Sequence, residues 1–364
     1  MTKNNRKKAV AQAISTAVAL GWVIMQVESA QAATLTVNNL NDSGVGSLRD
    51  TINIANNNDV VEFLLGSHPS AISLTSGALA IAKNLTINGP GANLLTISGN
   101  NHFPVFDINA ADVTFSGLAI AGNINAYNSS NLTFINSTIN GDNLKIDNPT
   151  GKLTLINSTF KGKNSVNINA NEVTVTNGSE SEVRDLSNTG HVGNAGNLTI
   201  STGSLTISNG ANINSEQTSN GSAGNLILKT DLLILRSGAI ISPSAGGSNN
   251  SGRGGNITIN TPNGFIIALP NEPSDIASDS NNSGGGGTVT IAASGIFGTR
   301  VPEPSDIAAD NINSGAAGSI VVTASEVVLL TRVPEPSAIA GSILAASLAW
   351  LAKRNFGAFR KAKI

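Results

Sequence analysis

The chain has 364 residues, of which 40% are hydrophobic and only 12% charged, with 38 Gly and no Cys. Aromatics are scarce, 10 Phe, 2 Trp and 1 Tyr, so a globular core built on large aromatic anchors is excluded. Between Ala33 and Ala352, twelve Lys/Arg stand against twenty-two Asp/Glu, a formal charge of −10; that sign excludes nucleic acid as a partner, which needs clustered basic residues.

Residues 1–32 read as a secretory signal peptide. Lys3, Arg6, Lys7 and Lys8 form a basic start, and Ala9–Met25 is mostly apolar. Ala30-Gln31-Ala32 fits the small-x-small rule, so cleavage is expected between Ala32 and Ala33. Export implies Sec-type machinery and a signal peptidase as partners. It also implies an oxidising compartment, in which disulfides were accessible and not used.

The next segment, 33–66, contains Leu40-Asn41-Asp42-Ser43-Gly44-Val45-Gly46-Ser47-Leu48-Arg49, followed by Asn53–Phe63. It resembles the N-terminal cap of secreted right-handed β-helix proteins related to polymorphic outer-membrane proteins. The resemblance implies a short helix over Ser47–Asn56 that lays Leu48, Ile52 and Ala55 over the first coil. An uncapped end would be a sheet edge open to polymerisation.

From 67 to 189 the tripeptide Leu-Thr-Ile, or a near variant, keeps returning. It stands at Leu85–Ile87, Leu95–Ile97, Val113–Phe115, Leu132–Phe134, Leu153–Leu155 and Val173–Val175, and again at Leu198–Ile200 and Leu205–Ile207. From Leu95 to Val173 the steps are 18, 19, 21 and 20 residues, and Asn136-Ser137-Thr138 recurs at Asn157-Ser158-Thr159. Alternation of apolar, Thr, apolar, closed by Asn, Gly or Ser, is a half-buried strand ending in a turn. A step of ~20 residues fits one coil of a parallel β-helix better than hairpins. Apolar positions should point inward and stack, and Thr should point outward. Asn and Gly should take left-handed corners.

Residues 190–330 keep the idea with a longer step. Gly196, Gly224, Gly255, Gly287 and Gly318 each precede such a strand, 28, 31, 32 and 31 residues apart. Gly/Ser/Asn-rich loops intervene, as insertions on one face of a solenoid do. This part resembles the repeats of filamentous-haemagglutinin-type exoproteins. The expected fold class is therefore all-β: a single-stranded right-handed parallel β-helix, or solenoid. A short cap helix, an N-terminal signal helix and a C-terminal hydrophobic anchor helix complete it.

Chemistry-bearing groups are sparse. His68, His102 and His191 are far apart and read as surface or turn residues, with neither a triad nor a metal set around them. Pro-Ser-Asp-Ile-Ala at 273–277 returns at 304–308, which sets Asp275 against Asp306 and Asp279 against Asp310, each 31 residues on. Stacked carboxylates repel unless a cation lies between them, so these four are candidates for Ca²⁺. Carboxylates splayed into water, or capping a turn, are the other reading. No other cofactor or metal is expected. Lys145, Lys152, Lys161 and Lys163 form the body's basic cluster, near Asp142 and Asp147 in sequence; a ~20-residue coil would bring Lys145 close to Lys163. They read as a solvated face or as the base of a lyase.

Residues 331–364 close the chain. Val333-Pro334-Glu335-Pro336-Ser337 precedes an apolar run, Ala338–Ala352, and then Lys353-Arg354 and a basic tail. This resembles the PEP-CTERM sorting signal of Gram-negative bacteria. The resemblance implies an exosortase-type protease as partner and delivery to the cell envelope, outer surface or extracellular matrix. Fifteen apolar residues reach ~22 Å as a helix, and snorkelling Lys353 and Arg354 would extend the span. A second Pro302-Glu303-Pro304 lies upstream, with no apolar run behind it.

The functional expectation is a non-enzymatic, exported surface or matrix protein with an adhesin-like role, contacting surface glycans or exopolysaccharide. A polysaccharide-active β-helix enzyme, lyase or glycosidase, is the alternative. A purely structural matrix component is the second.

Overall fold

A computed structural model describes residues 32–128, 130–178, 180–184, 195–216, 221–243, 252–268, 274–278, 284–299, 307–308 and 318–330. Among them the protein is nearly all β, with one short helix. Every strand pairing is parallel, in a 20-stranded sheet and a separate 3-stranded one. Parallel neighbours usually need a helical crossover. Here the returning chain supplies further strands instead, so each pass lays one layer on the last.

Three columns of paired segments result. The first starts with Thr34–Val37 on Asp59–Phe63, then Leu85–Asn88, Val113–Ser116 and Asn131–Ile135. It continues through Lys152–Ile156, Glu172–Val175 and Ser204–Ser208, and reaches Gly295–Thr299 and Glu326–Leu330. A second column carries Ser70–Ser73, Leu95–Ser98, Ala119–Ala121 and Thr138–Asn140. The third includes Asn143–Asn148, Ser165–Ala170, Asn197–Thr202 and Leu226–Thr230.

This corrects one feature of the repeat. Leu85-Thr86-Ile87 lies directly opposite Val113-Thr114-Phe115, 28 residues on. Leu95-Thr96-Ile97 belongs to the second column, against Ser70–Ser73. An alternating pattern states only that one side of a strand is buried, so it fits any column equally. From Val113 onward the steps of 19, 21 and 20 do follow the register.

Inward positions repeat as aliphatic ladders. Leu85, Val113, Leu132, Leu153, Val173, Leu205 and Leu233 are stacked and buried. Four phenylalanines pile up within the core, with ring centroids 4.6 Å (Phe106–Phe115), 5.0 Å (Phe115–Phe134) and 5.4 Å (Phe134–Phe160) apart. Outward, Thr86, Thr114, Thr133, Thr154, Thr174 and Thr206 form one half-buried row. β-Branched Thr suits this pleated, half-exposed position.

Corners use Asn as expected. Asn136, Asn157, Asn177 and Asn209 take φ of 50°, 47°, 56° and 55°, and their amides bond layer to layer: Asn157 Nδ2 donates to Asn136 Oδ1 at 2.7 Å. Beside them Ser137 and Ser158 point inward at 2% exposure. The Ser158 hydroxyl accepts from Ser137 N–H at 3.1 Å and donates to Ile156 O at 2.9 Å, so each buried hydroxyl is satisfied.

The aligned glycines have a different cause. A Cβ on Gly224 would lie 1.8 Å from Gly196 O, on Gly255 1.8 Å from Gly224 O, and on Gly318 1.8 Å from Gly287 O. Successive layers touch backbone to backbone along this line, which leaves no room for a side chain.

The helix, α1 (Leu48–Ile54), is capped by Ser47, whose Oγ accepts from Asp50 N–H at 3.2 Å. It buries Leu48, Thr51 and Ile52, and Ala55 just beyond it is 2% exposed. Lys83 Nζ donates to Asn53 O and Ala55 O, filling orphan carbonyls at the helix end. Asp42 ties the preceding loop down. Its Oδ1 meets Arg49 Nη2 at 2.6 Å, and its Oδ2 accepts from Thr75 and Ser76. Arg49 in turn donates to Gly77 O and Ala78 O.

Two outcomes are expected. Gly224→Ala should destabilise by about 3 kcal/mol, as overpacking against a fixed carbonyl does. Gly210→Ala meets no atom within 4 Å and strains only its φ of 70°, so denaturant melts should rank Gly224→Ala clearly below it. The second concerns Asp42. Burial alone would raise its carboxyl, but hydrogen bonds from Ser76, Arg49 and Thr75 outweigh that and hold it well below the usual carboxylate range. A depressed folded-state value stabilises at pH above the unfolded value of about 3.9 and is lost as pH falls below it. Asp42→Asn should cost about 3 kcal/mol at pH 7, and the gap to the parent protein should narrow in thermal melts below about pH 4.

Candidate functional site

The turn after Leu95–Ser98 starts the site. Asn100 and Asn101 both adopt left-handed backbone, at φ 52° and 56°. His102 N–H and Phe103 N–H both bond Gly99 O, at 3.0 and 3.1 Å, closing the turn tightly. Asn100 Nδ2 donates to Leu74 O at 3.1 Å, which fixes the turn to the layer before it. His102 and Phe103 are thereby turned outward, with Phe103 37% exposed.

Beside this turn, Ala119–Ala121, Thr138–Gly141 and Thr159–Gly162 lie in register, with Thr138 opposite Thr159 and Asn140 opposite Lys161. At the next step the register slips. Gly141 faces Gly162, but Asn143 faces Ser165, so Lys163 and Asn164 together oppose Asp142. This is a β-bulge, which bends a strand and re-aims its side chains. Two adjoining hollows open here, of about 300 and 500 Å³, sharing Asn101, Gly141 and Asp142 as wall. His102, Phe103 and Asn123 line the smaller; Asn140, Lys161 and Lys163 line the larger.

The register on either side of the bulge keeps the lysines apart. Lys145 does not meet Lys163. It sits opposite Asn167, with its ammonium 2.9 Å from Asp147 Oδ2. Hydrogen bonds from Lys145 and Asn169 lower the Asp147 carboxyl below its ordinary value. Lys152 pairs with Glu172 at 2.8 Å. Both pairs are about half exposed, so each contributes little to stability.

Chemically the site is a hydrogen-bonding surface. It presents amides from Asn101, Asn123 and Asn140, hydroxyls from Thr138 and Thr159, and cations from Lys161 and Lys163. Among the described residues, Asp142 is the one carboxylate in its wall. Glycosidase chemistry splits acid and nucleophile or base roles between two carboxyls about 5–9 Å apart.

A third hollow, of about 280 Å³, lies beside α1 and is walled by Lys83, Asp107 and Tyr127 among others. Tyr127 donates to Asp107, and that bond raises the phenol above its ordinary value.

Of the residues singled out in the sequence, His68 and His102 sit in exposed turns. Asp275 opens the strand Asp275–Ala277, half-buried, with its N–H on Ala239 O at 2.9 Å. Ile276 lies opposite Ile307, the register that the 31-residue step predicts. Asp279, Asp306, Asp310 and His191 lie outside the described residues. So do the signal segment through Gln31, Pro302-Glu303-Pro304, the Val333–Pro336 motif and the apolar run Ala338–Ala352. Among the described residues no three His, Cys, Asp or Glu side chains converge as a metal set, and no helix is long and apolar enough to cross a membrane.

Sequence reasoning passed over Asn101, Phe103, Asn123 and Asn140. One signal was present: Asn100-Asn101 directly after Gly99 marks a turn of successive left-handed residues, here followed by His and Phe. No family description, no curated protein and no solved structure matches this chain.

Proposed function

We propose that the protein is an exported, non-enzymatic component of the cell surface or extracellular matrix, with an adhesin-like role toward glycans. In this reading the three parallel columns are the faces of a single-stranded right-handed β-helix of the kind that the 33–66 and 190–330 segments resemble. Residues 1–32 direct export through Sec-type machinery and are removed between Ala32 and Ala33 by a signal peptidase. The Val333–Pro336 motif and the apolar run after it act as a PEP-CTERM-like signal, read by an exosortase-type protease of a Gram-negative envelope.

The observation that carries the reading is the outer face itself. Thr, Asn and Lys are held on stacked strands ~4.8 Å apart, and the bulge at Asp142 opens them into a shallow cleft. Such a surface offers rigid donors and acceptors to a polyhydroxylated chain, and the strand repeat makes many weak contacts additive. A rigid surface loses little entropy on binding.

The second reading, a polysaccharide-active enzyme, draws on Asp142 beside Lys161 and Lys163 on neighbouring strands. A wall with a single carboxylate among the described residues favours holding a saccharide over cleaving it.

Two measurements test the proposal. Replacing Pro334, Glu335 and Pro336 by Ala should shift the protein out of the surface and matrix fractions; an unchanged distribution would defeat the sorting role. The full chain should bind immobilised exopolysaccharide without releasing unsaturated ends or reducing sugars. Asn140→Ala with Lys163→Gln should weaken that binding by about thirtyfold, since two hydrogen-bonding groups at ~1 kcal/mol each are lost. Release of products would favour the enzyme.

A further inference from the structure

Asp59 occupies a place that its column reserves for aliphatic side chains. It pairs with Leu85, whose successors in register are Val113, Leu132, Leu153 and Val173. The residue is only 3% exposed. A carboxylate at an inward position is costly unless it is hydrogen-bonded and paired with charge. Its Oδ2 accepts from Asn56 N–H at 2.7 Å. Its Oδ1 accepts from the backbone nitrogen of Ala33 at 2.8 Å. Ala33 O in turn accepts from Val60 N–H at 2.8 Å, so this residue of the first layer is held by the second on both its nitrogen and its oxygen. These backbone bonds hold the Asp59 carboxyl below its ordinary value, aided by the charge of Lys83. The Lys83 ammonium itself is bonded to the carbonyls at the end of α1.

Ala33 is also the residue that signal-peptide removal would expose. We infer that Asp59 is the receptor for the new α-ammonium of Ala33, so that processing converts a neutral amide contact into a buried-side ion pair that locks the first strand onto the stack. The inference rests on the export reading above. Hydrolysis of the Ala32–Ala33 peptide bond adds water across it. Hydroxide goes to the Ala32 carbonyl carbon and a proton to the Ala33 nitrogen. At neutral pH the new acid loses its proton and the new amine gains one. The nitrogen already lies 2.8 Å from Asp59 Oδ1, so no backbone movement is needed. Before cleavage the inward carboxylate is hydrogen-bonded by amide donors, with the Lys83 charge acting on it without a direct bond; afterwards it also contacts the α-ammonium, whose remaining N–H groups are directed to solvent at the exposed Ala33.

The sign of the pH dependence follows. The groups that face the α-amine are the Asp59 carboxylate and, across it, the Lys83 ammonium. A carboxylate in contact raises the α-amine above its unfolded value of about 7.7. The added stability is then complete below about pH 7.7 and is lost as pH rises through the raised folded value.

The test uses two stages. The exported full chain is first sequenced from its N-terminus by mass spectrometry. A start at any residue other than Ala33 overturns the leader reading. The chain Ala33–Ile364 is then prepared behind a removable tag and melted before and after tag removal. Freeing Ala33 should raise the Tm by about 1.5 °C at pH 6.5, a small shift because the unfolding entropy of a chain of this size is large. The gain should vanish by pH 10 and be absent in Asp59→Asn. An equal gain in Asp59→Asn, or none in the parent protein, overturns the ion pair while leaving the cleavage site intact. Because Asp59→Asn alters the core, a ¹⁵N-Ala33 titration on the parent protein supplies an independent readout. An α-amine titrating above 7.7 supports the pair, and one at or below it refutes the pair.

Discussion

The structure depends on one repeated contact: backbone N–H of one layer to backbone C=O of the next, in parallel register, pass after pass. At that spacing of ~4.8 Å each inward side chain lies in contact with the ones above and below it, so apolar residues stack on apolar residues. Aliphatic groups tolerate this, and so do rings that tilt past one another, as Phe106, Phe115, Phe134 and Phe160 do. The same constraint selects Gly where carbonyls of adjacent layers meet, from Gly196 through Gly318. It also explains how a chain with 12% charged residues and no Cys holds together. Stability is distributed along the ladder, and each layer leans on its neighbours.

Much of this was legible because the ladder has a period. Leu-Thr-Ile reported both the alternation and the return distance, and the glycine spacing of the second half reappears in the register of Leu198, Leu226, Ile257, Val289 and Ile320. Column identity was not legible. Leu95–Ile97 and Leu85–Ile87 are alike in composition, yet they belong to different columns, because a tripeptide carries no mark of the face it joins. The cleft was illegible for a related reason. It arises from one extra residue in the strand Thr159–Thr176, and a slip of one residue leaves no compositional trace. Short-range signals fared better: Asn at the corners depends on nothing distant.

Among the described residues, the most deeply buried ion pair and carboxylates lie where the ladder begins. An interior layer has partners above and below for every backbone group. The first has only one, so side chains must supply the rest. Asp42 and Arg49 clamp the loop before α1 to residues 75–78, and Asp59 receives Ala33 and Asn56. Both carboxyls lie below the ordinary range, because each accepts several hydrogen bonds in its charged form. Deeper in the stack the equivalent inward positions are aliphatic, since the neighbouring layer does the same work with backbone alone.

The outer face changes character along the chain, and that decides where a polar ligand could lie. The threonine row runs from Thr86 to Thr206 and then becomes Ile234, Ile267 and Phe297 in the same register. Ile267 is 5% exposed, and Phe265 and Phe297 lie with ring centroids 5.5 Å apart. A hydroxyl row gives saccharides donors and acceptors, whereas a row of isoleucine and phenylalanine gives them none. The cleft at Asn101, Asn140 and Asp142 falls in the first stretch, where the outward row is still threonine. Along this row polar side chains are thus confined to the layers through Thr206 by the same alternation that builds the core: once inward positions are fixed as aliphatic, only the outward residue is free to differ from layer to layer, and it is that residue which separates the two halves of this face.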